Sequence, residues 1–311
     1  MRQAKQRASA LLSALFIMTL VAIAATAMST RMQLDIYRTR MTIESDSMYL
    51  ASQAVAFWAA NTLTSKGALP VAENEEGKLT YFPKQYHAMY PGVEMHGALY
   101  DLQARFNLNN VTKKEGKQLF SQLLEKNLIN TNAKKRAKIV DATAQWIEPY
   151  NVEHGRDPLN NYYLDQNPPY QPAHEPMVNV TEFRLIAEVD SKIYNKLAPY
   201  LAALPANETK ININNAPKAV LKALGYGLSD AETEQIIRAR TDSPITKLSN
   251  ITDILRSLHI EEASLTVESE YFLSIAHVKA SNLTLANYTL LHRKKDKKGQ
   301  IKVQILNETL Y

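Results

Sequence analysis

The chain has 311 residues, a formal net charge of +5 and no cysteine. That length holds two modest domains with real cores. The missing thiols exclude a disulfide framework, thiolate metal sites and a cysteine nucleophile, so stability has to come from packing.

Arg2, Lys5 and Arg7 open the chain, and from Ala8 to Thr30 there is no charged residue. About 20 apolar residues in a helix cross a hydrocarbon core of about 30 Å, so this run suits one membrane crossing. The basic leader keeps the short N-terminus cytoplasmic and sends the bulk of the chain across. A secretory signal ends in a break and a cleavage site, but here no Pro or Gly occurs before Gly67, so the helix is read as retained. A single helix from Ser9 to Asn61 is expected, roughly 80 Å long. Beyond the apolar run a stripe continues through Leu34, Tyr37, Met41, Met48, Ala51, Val55 and Trp58, broken by Glu44. Three-and-four spacing of this kind makes one helical face. Leu34, Tyr37, Met41 and Met48 are assigned to partner helices, with packing on the chain's own sheet as the other reading; Ala51 to Trp58 are assigned to the chain's own sheet.

Residues 66–92 are rich in Gly, Pro and Glu and read as loop. Val93 and Met95 start a strand, Gly97 reads as a bulge, and Leu102, Ala104, Phe106 and Leu108 alternate with polar residues as a strand with one buried face. Asn110 falls in that strand, which makes its N-x-T sequon, one of several in an Asn-rich chain, a chance match.

A helical block follows. Thr112 and Glu115 read as a capping box, Ile139, Val140, Ala144 and Ile147 mark a second helix, Asn179 and Glu182 cap a third, and Asp190 opens another bearing Ile193, Leu197 and Leu201. Pro149 to Pro176 is a long tract of Pro, Asn and Tyr, and a loop of that length usually has a task. Glu148, Asn151, Glu153 and Asp157 supply oxygen donors there, the ligand type Ca²⁺ prefers. The alternative is an unliganded loop ordered by Trp146, Tyr162 and Tyr163.

Further on, Asn215 reads as the cap of a helix with Val220, Leu221 and Leu224, Gly225-Tyr226-Gly227 turns the chain, and Ser229 caps a helix with Ile236 and Ile237. This helix-hairpin-helix pattern has two readings. One is a DNA-phosphate site using Lys218, Gly225 and Gly227. The other is scaffold, because Asp230, Glu232 and Glu234 offset Lys218, Lys222, Arg238 and Arg240, and phosphate binding needs surplus positive charge.

From Ser269 the period returns to two, with strands at Tyr271–Ile275, Leu283–Leu285 and Ile301–Ile305. Arg293, Lys294, Lys295, Lys297 and Lys298 read as a solvated hairpin tip between the last two, with a nucleic-acid or lipid patch as the other reading. The expected fold is α+β: a long N-terminal helix, an antiparallel sheet, and a large all-α domain inserted between its strands. No zincin pattern, phosphate-binding Gly-rich loop or G-x-S-x-G elbow occurs, and no residue is nominated for catalysis.

The basic leader, the small residue and the uncharged helix running into a soluble domain resemble a type IV pilin or type II secretion pseudopilin signal. D-L-Q-A-R-F-N-L-N-N (Asp101–Asn110), P-M-V-N-V-T-E-F-R-L-I (Pro176–Ile186) with L-A-P-Y-L-A-A-L-P (Leu197–Pro205), and I-N-I-N-N-A-P-K-A-V-L-K-A-L (Ile211–Leu224) carry the likeness across most of the chain. On these stretches the chain is identified as a member of the minor pseudopilin K family of type II secretion. The resemblance implies a leader at 1–8, cut by a prepilin peptidase between Ala8 and Ser9, where the family normally has Gly in place of Ala8. It implies a membrane segment at 9–30, a pilin-like domain at 31–110 and 269–311, and the inserted helical domain at 111–268. The family's usual glutamate at the fifth mature position is here Ser13. A membrane carboxylate needs a compensating partner charge, so a subunit without it suits the fibre tip. The resemblance further implies partners in the I and J minor pseudopilins, the major pseudopilin G and the inner-membrane assembly platform, an inner-membrane location with a periplasmic head, no nucleic acid, no enzymatic activity, and calcium near residues 148–157. The family is richer in acid at that loop, with Asp where this chain has Tyr150 and Pro158. The alternative function is a membrane-anchored helix-hairpin-helix DNA-binding protein.

Overall fold

The computed structural model describes residues 2–65, 69–72, 77–83, 90–150, 160–206, 208–241, 243–296 and 298–311, with side chains from residue 11 onward. A single helix, α1, runs Arg2–Thr64, about 95 Å at 1.5 Å per residue. Its hydroxyls are satisfied inside the helix, Thr19 donating to Phe16 O, Thr26 to Ala22 O and Thr30 to Thr26 O, as a membrane segment requires. β1 (Lys78–Phe82) follows, within the stretch expected to be loop, and pairs with β2 (Val93–Asp101).

The helical module begins when β2 ends. Residues 102–109, expected as a strand, instead form two short 3₁₀ turns around a two-residue strand, β3 (Phe106–Asn107). Asp101 and Asn107 fold their side-chain oxygens onto the amides of Gln103 and Asn109, the local competition that pulls Asx residues out of strands. Asn110 therefore lies in a turn. α2 (Lys114–Asn127) starts without a side-chain cap, so the box expected from Thr112 and Glu115 does not form; the Thr112 hydroxyl bonds back to Asn109 O. α3 (Ala133–Ile147), capped by Asn132, and α4 (Asn160–Leu164) follow. Asn179 and Glu182 do make their reciprocal box, but on a 3₁₀ helix, Val180–Leu185. α5 (Ser191–Leu197) is capped by Asp190 and passes through a 3₁₀ turn into β4 (Leu201–Ala202), leaving Leu201 outside the helix. β5 (Ile211–Asn212), α6 (Lys218–Leu221), α7 (Asp230–Thr241), α8 (Thr252–Ser257) and β6 (Leu265–Thr266) complete the module. Its core is continuous from Phe106 to Leu265, with Phe120, Leu123, Leu124, Phe183 and Leu221 fully buried.

β7 (Tyr271–Ala280), β8 (Leu283–Lys295) and β9 (Ile301–Leu310) then finish one antiparallel sheet of order β1-β2-β7-β8-β9. The chain thus leaves the sheet at Asp101 and re-enters at Tyr271, its direct neighbour strand. The β2–β7 register is unbroken from Val93↔Ala280 to Asp101↔Phe272, so Gly97 is not a bulge. It has another cause: a Cβ there would stand 2.5 Å from Val55 Cγ1 and 2.5 Å from Ile275 O. Glycine lets α1 lie close on the sheet.

Val55, Ala59 and Leu63 of α1 pack there on Leu99, Phe272, Ala276 and Leu291. Met48 and Ala51 pack lower, on Val93, Met95 and Val278. Arg293 is buried, not part of the solvated tip: its Nε donates to Leu63 O at the end of α1. A basic side chain on these last carbonyls satisfies groups the helix leaves unpaired. The tip proper is the turn at Asp296, whose Oδ1 accepts from Lys298 N and Gln300 N.

Candidate assembly surface and membrane anchor

Position along α1 decides what each residue can do. From Leu11 to Met32 the large apolar side chains are exposed, and the most apolar window has a mean hydropathy of 2.3 with none of it buried. Among the described residues this is the one helix long and apolar enough to cross a membrane. Ser13 lies exposed in this segment; Ala8 and Ser9 lie in the helix, at positions whose side chains are outside the described set.

The stripe assigned to partner helices divides. Leu34 and Tyr37 project into solvent below the sheet and Met41 is half-buried, but Met48 is only 3% exposed and belongs to the chain's own core. The sheet simply reaches one turn lower than the pattern revealed. Glu44, the interruption, pairs with Arg40 at 2.9 Å.

Sequence reasoning missed a second stripe on the opposite side of the helix. Ile36, Ile43, Leu50 and Phe57 are spaced by seven and are 57%, 61%, 51% and 70% exposed. At 100° per residue they fall roughly opposite Met48, Val55 and Ala59, which face the sheet. A seven-residue step drifts only about 20° around a straight helix, so the four form a gently winding ridge. Such a ridge fits the grooves of another helix crossing at about 20°. Burying one of these side chains against a partner is worth about 1.5–3 kcal/mol. The spacing was legible; what hid it was that the sequence does not say which face of α1 its own sheet covers.

The helix-hairpin-helix element exists, built of α6, the Gly225 and Gly227 turn and α7, and Ser229 and Glu232 cap α7 reciprocally. Its geometry works against phosphate. Lys218 Nζ is 2.8 Å from Glu234 and 3.2 Å from Asp230, and Lys222 Nζ is 2.8 Å from Asp230. Lys222 and Lys218 hold the Asp230 carboxyl below its ordinary range, so these cations are already matched. The turn is also covered: Lys126 Nζ donates to Gly227 O at 3.0 Å, and a Cβ on Gly227 would meet Gln122 Oε1 at 2.4 Å. Asn215 does not cap α6, whose N-cap is Pro217. It is buried, donating to Asp101 Oδ2 at 2.6 Å and accepting from Ala72 N.

That contact belongs to a polar knot where module and sheet join. The Asp101 carboxylate accepts from Gln103 N, Asn212 Nδ2, Asn215 Nδ2 and Ser269 Oγ. Nearby, Asn109 holds Met177 and Leu204, and Asn107 holds Leu204 N and Ala206 O. The motif residues of Asp101–Asn110 and Ile211–Asn215 are therefore structural, pinning chain segments about 100 residues apart in sequence onto one another.

Of the oxygen donors proposed for calcium, Asn151, Glu153 and Asp157 lie outside the described residues. Glu148 is exposed, with its carboxylate 3.5 Å from Lys117 Nζ and its carbonyl contacting His174 Nδ1. The neighbouring aromatics do gather: Trp146, Tyr163 and Tyr170 make mutual ring contacts of 5.3–6.3 Å, with Tyr163 buried.

A long N-terminal helix apolar enough to cross a membrane, laid on an antiparallel sheet, with a mostly helical module that holds two small two-stranded sheets inserted between neighbouring strands, is a pilin-like architecture. Comparison specifies it further. Two family models, both described as type II secretion system protein K, match residues 104–206 and 211–273, together just over half the chain and nearly the whole inserted module. The type II secretion system protein K of Klebsiella pneumoniae is 26% identical, covering 93% of each chain, and that of Aeromonas hydrophila is 28% identical, covering 86% of this chain and 87% of its own. The crystal structure of the GspK-GspI-GspJ complex of enterotoxigenic Escherichia coli contains a chain with the same fold, at a TM-score of 0.64 and 22% identity, covering 88% of this chain and 99% of that one. The chain belongs to the type II secretion system protein K family and is a minor pseudopilin, a structural component of the pseudopilus.

Proposed function

We propose that this chain is the tip subunit of the pseudopilus, that it nucleates fibre assembly with the I and J minor pseudopilins, and that the major pseudopilin G is then added beneath them from the inner-membrane platform. Growth of that fibre supports export of folded proteins across the outer membrane. The observation that carries this reading is the exposed ridge of Ile36, Ile43, Leu50 and Phe57, on the helix face that the chain's own sheet leaves open. A ridge of this length is an incomplete core, and a neighbouring pseudopilin helix completes it. Leu34 and Tyr37 extend the contact on the other side. The E. coli chain of like fold stands in a complex with I and J proteins, which supports the same partners here. Ser13, carrying no carboxylate, needs no amine from a subunit above, as befits a tip. Prepilin peptidase cleavage between Ala8 and Ser9 releases the helix for extraction from the inner membrane, leaving the head periplasmic.

The test is co-purification from detergent with coexpressed I and J partners. Ile43→Asp with Leu50→Asp should lose the partners while the melting temperature of the isolated chain stays within about a degree, since exposed sites away from packing change stability little. Retention of both partners by that variant would remove the ridge from the assembly. Labelled protein found along fibre shafts, rather than at one end, would refute the tip position.

A further inference from the structure

The sheet face turned away from α1 carries a pair of groups that lie outside the core packing. Side chains alternate between faces along a strand, so the residues between Met95, Gly97 and Leu99 on β2, and between Ala276, Val278 and Ala280 on β7, point outward. His96 and His277 are such residues, and they stand directly opposite one another in the antiparallel register. Both are exposed, and their rings overlap with centroids 5.3 Å apart at 28°. Among the described residues neither ring has a hydrogen-bond or ion-pair partner. The same-face charges one step along are Glu94 and Lys279, which oppose each other, and on the other side stand Ala98 and Ile275. Among the described residues, therefore, the two imidazoles stand side by side with no carboxylate or backbone group bonded to them.

That separation is the one a metal ion imposes. Zinc–imidazole bonds are about 2.0–2.1 Å, and with a tetrahedral angle two rings on one ion place their centroids about 5.2 Å apart. The β2–β7 register sets the two side chains opposite one another, and because the rings lie stacked face to face, ligation requires both to turn about their side-chain bonds until one nitrogen of each meets a common point. We propose that His96 and His277 form a two-imidazole site for a divalent transition-metal ion of the nitrogen-preferring class, zinc foremost, with water filling the remaining positions. Hard, oxygen-preferring ions such as Ca²⁺ and Mg²⁺ do not suit it. Ligation takes the neutral imidazole, so uptake should weaken as pH falls below the ordinary histidine range. β2 and β7 are the strands by which the chain leaves for the helical module and returns, so an ion bridging them ties together the two strands that flank the insertion, five register pairs from its base. It binds only the paired register and stabilises the folded state by mass action.

Isothermal titration of the untagged full-length chain in detergent with zinc chloride, paired with thermal melts, tests this directly. The chain has no cysteine to compete. One zinc per chain and a raised melting temperature are expected, with no response to calcium chloride at this site. His96→Gln and His277→Gln, each at an exposed position, should weaken zinc binding by about tenfold or more, since one imidazole of a bidentate pair is lost, while metal-free melting is unchanged. Absence of zinc uptake at millimolar concentration, or wild-type uptake by both variants, would overturn the assignment, the latter placing the ion on other histidines.

Discussion

Asp101 is the last residue of β2 and the first of the module's polar knot. Burial pushes its carboxyl above the ordinary 3.8, against the opposing pull of Asn215, Ser269, the Gln103 amide and Asn212. Removing it by Asp101→Ala leaves buried amide and hydroxyl donors unpaired, a loss of roughly 2–4 kcal/mol, seen as a lower melting temperature. Asp101→Asn separates charge from shape. A group whose folded value is raised binds its proton more tightly folded than unfolded, so its ionisation costs stability as pH rises from about the unfolded value through the folded one. The unfolding free energy of wild type minus that of Asp101→Asn should therefore fall as pH increases from 4 upward. A difference that grows with pH would mean that the four donors outweigh burial and hold the carboxylate ionised.

At the scale of elements, the contact of α1 with the sheet rests on Gly97. Alanine there would set its methyl against Ile275 O and Val55 Cγ1, both at 2.5 Å. The valine methyl has some freedom to turn away, but the carbonyl belongs to the β2–β7 ladder and cannot move without lengthening it. Gly97→Ala should cost about 1–3 kcal/mol, the usual range for overpacking, and calorimetry in detergent would show it as a lower transition. Wild-type melting would mean that α1 sits farther from β2 than this geometry implies. Gly227→Ala tests the hairpin turn in the same way: φ is +90° and Gln122 and Lys126 crowd the position. Its effect should appear as lost stability with no change in affinity for duplex DNA, because Lys218 and Lys222 are already committed to Asp230 and Glu234. A gel shift at moderate salt that disappears in this variant would revive the phosphate-binding reading.

For the whole molecule, the decisive measurements concern the two ends of the mechanism. Mass spectrometry after coexpression with a prepilin peptidase should find a mature chain beginning at methylated Ser9, and Ala8→Gly should raise the processed fraction by restoring the family's usual residue. An intact Met1 would leave a plain anchor. At the head, we propose that calcium draws Glu148 away from Lys117 to join Asn151, Glu153 and Asp157. Millimolar Ca²⁺, but not Mg²⁺, should then raise the melting temperature by a few degrees, and Glu153→Gln should abolish the rise. An identical response in that variant would place the ion elsewhere.

The single long N-terminal helix, expected from Ser9 to Asn61 and found at Arg2–Thr64, the three C-terminal strands and the mostly helical block before them were all legible in the sequence, because they rest on local periodicity and on the absence of Gly and Pro before Gly67. So was the family, whose motifs are short and contiguous. What tertiary structure alone decided were matters of who faces whom. Alternation at Leu102, Ala104, Phe106 and Leu108 looked like one strand, yet only Phe106 keeps a two-residue strand, and Leu102, Ala104 and Leu108 are buried in 3₁₀ turns because the Asp101 and Asn107 side chains capture nearby amides. Asn215 had the composition of a helix cap and serves a carboxylate more than 100 residues earlier. Arg293 had the company of a solvated tip and closes the end of α1. The same holds for the assembly ridge: a helix with apolar residues on two sides does not reveal which side is spent on its own sheet. Local pattern sets what an element is, whereas burial and long-range pairing, which depend on every other segment being in place, set which of its faces is left for a partner.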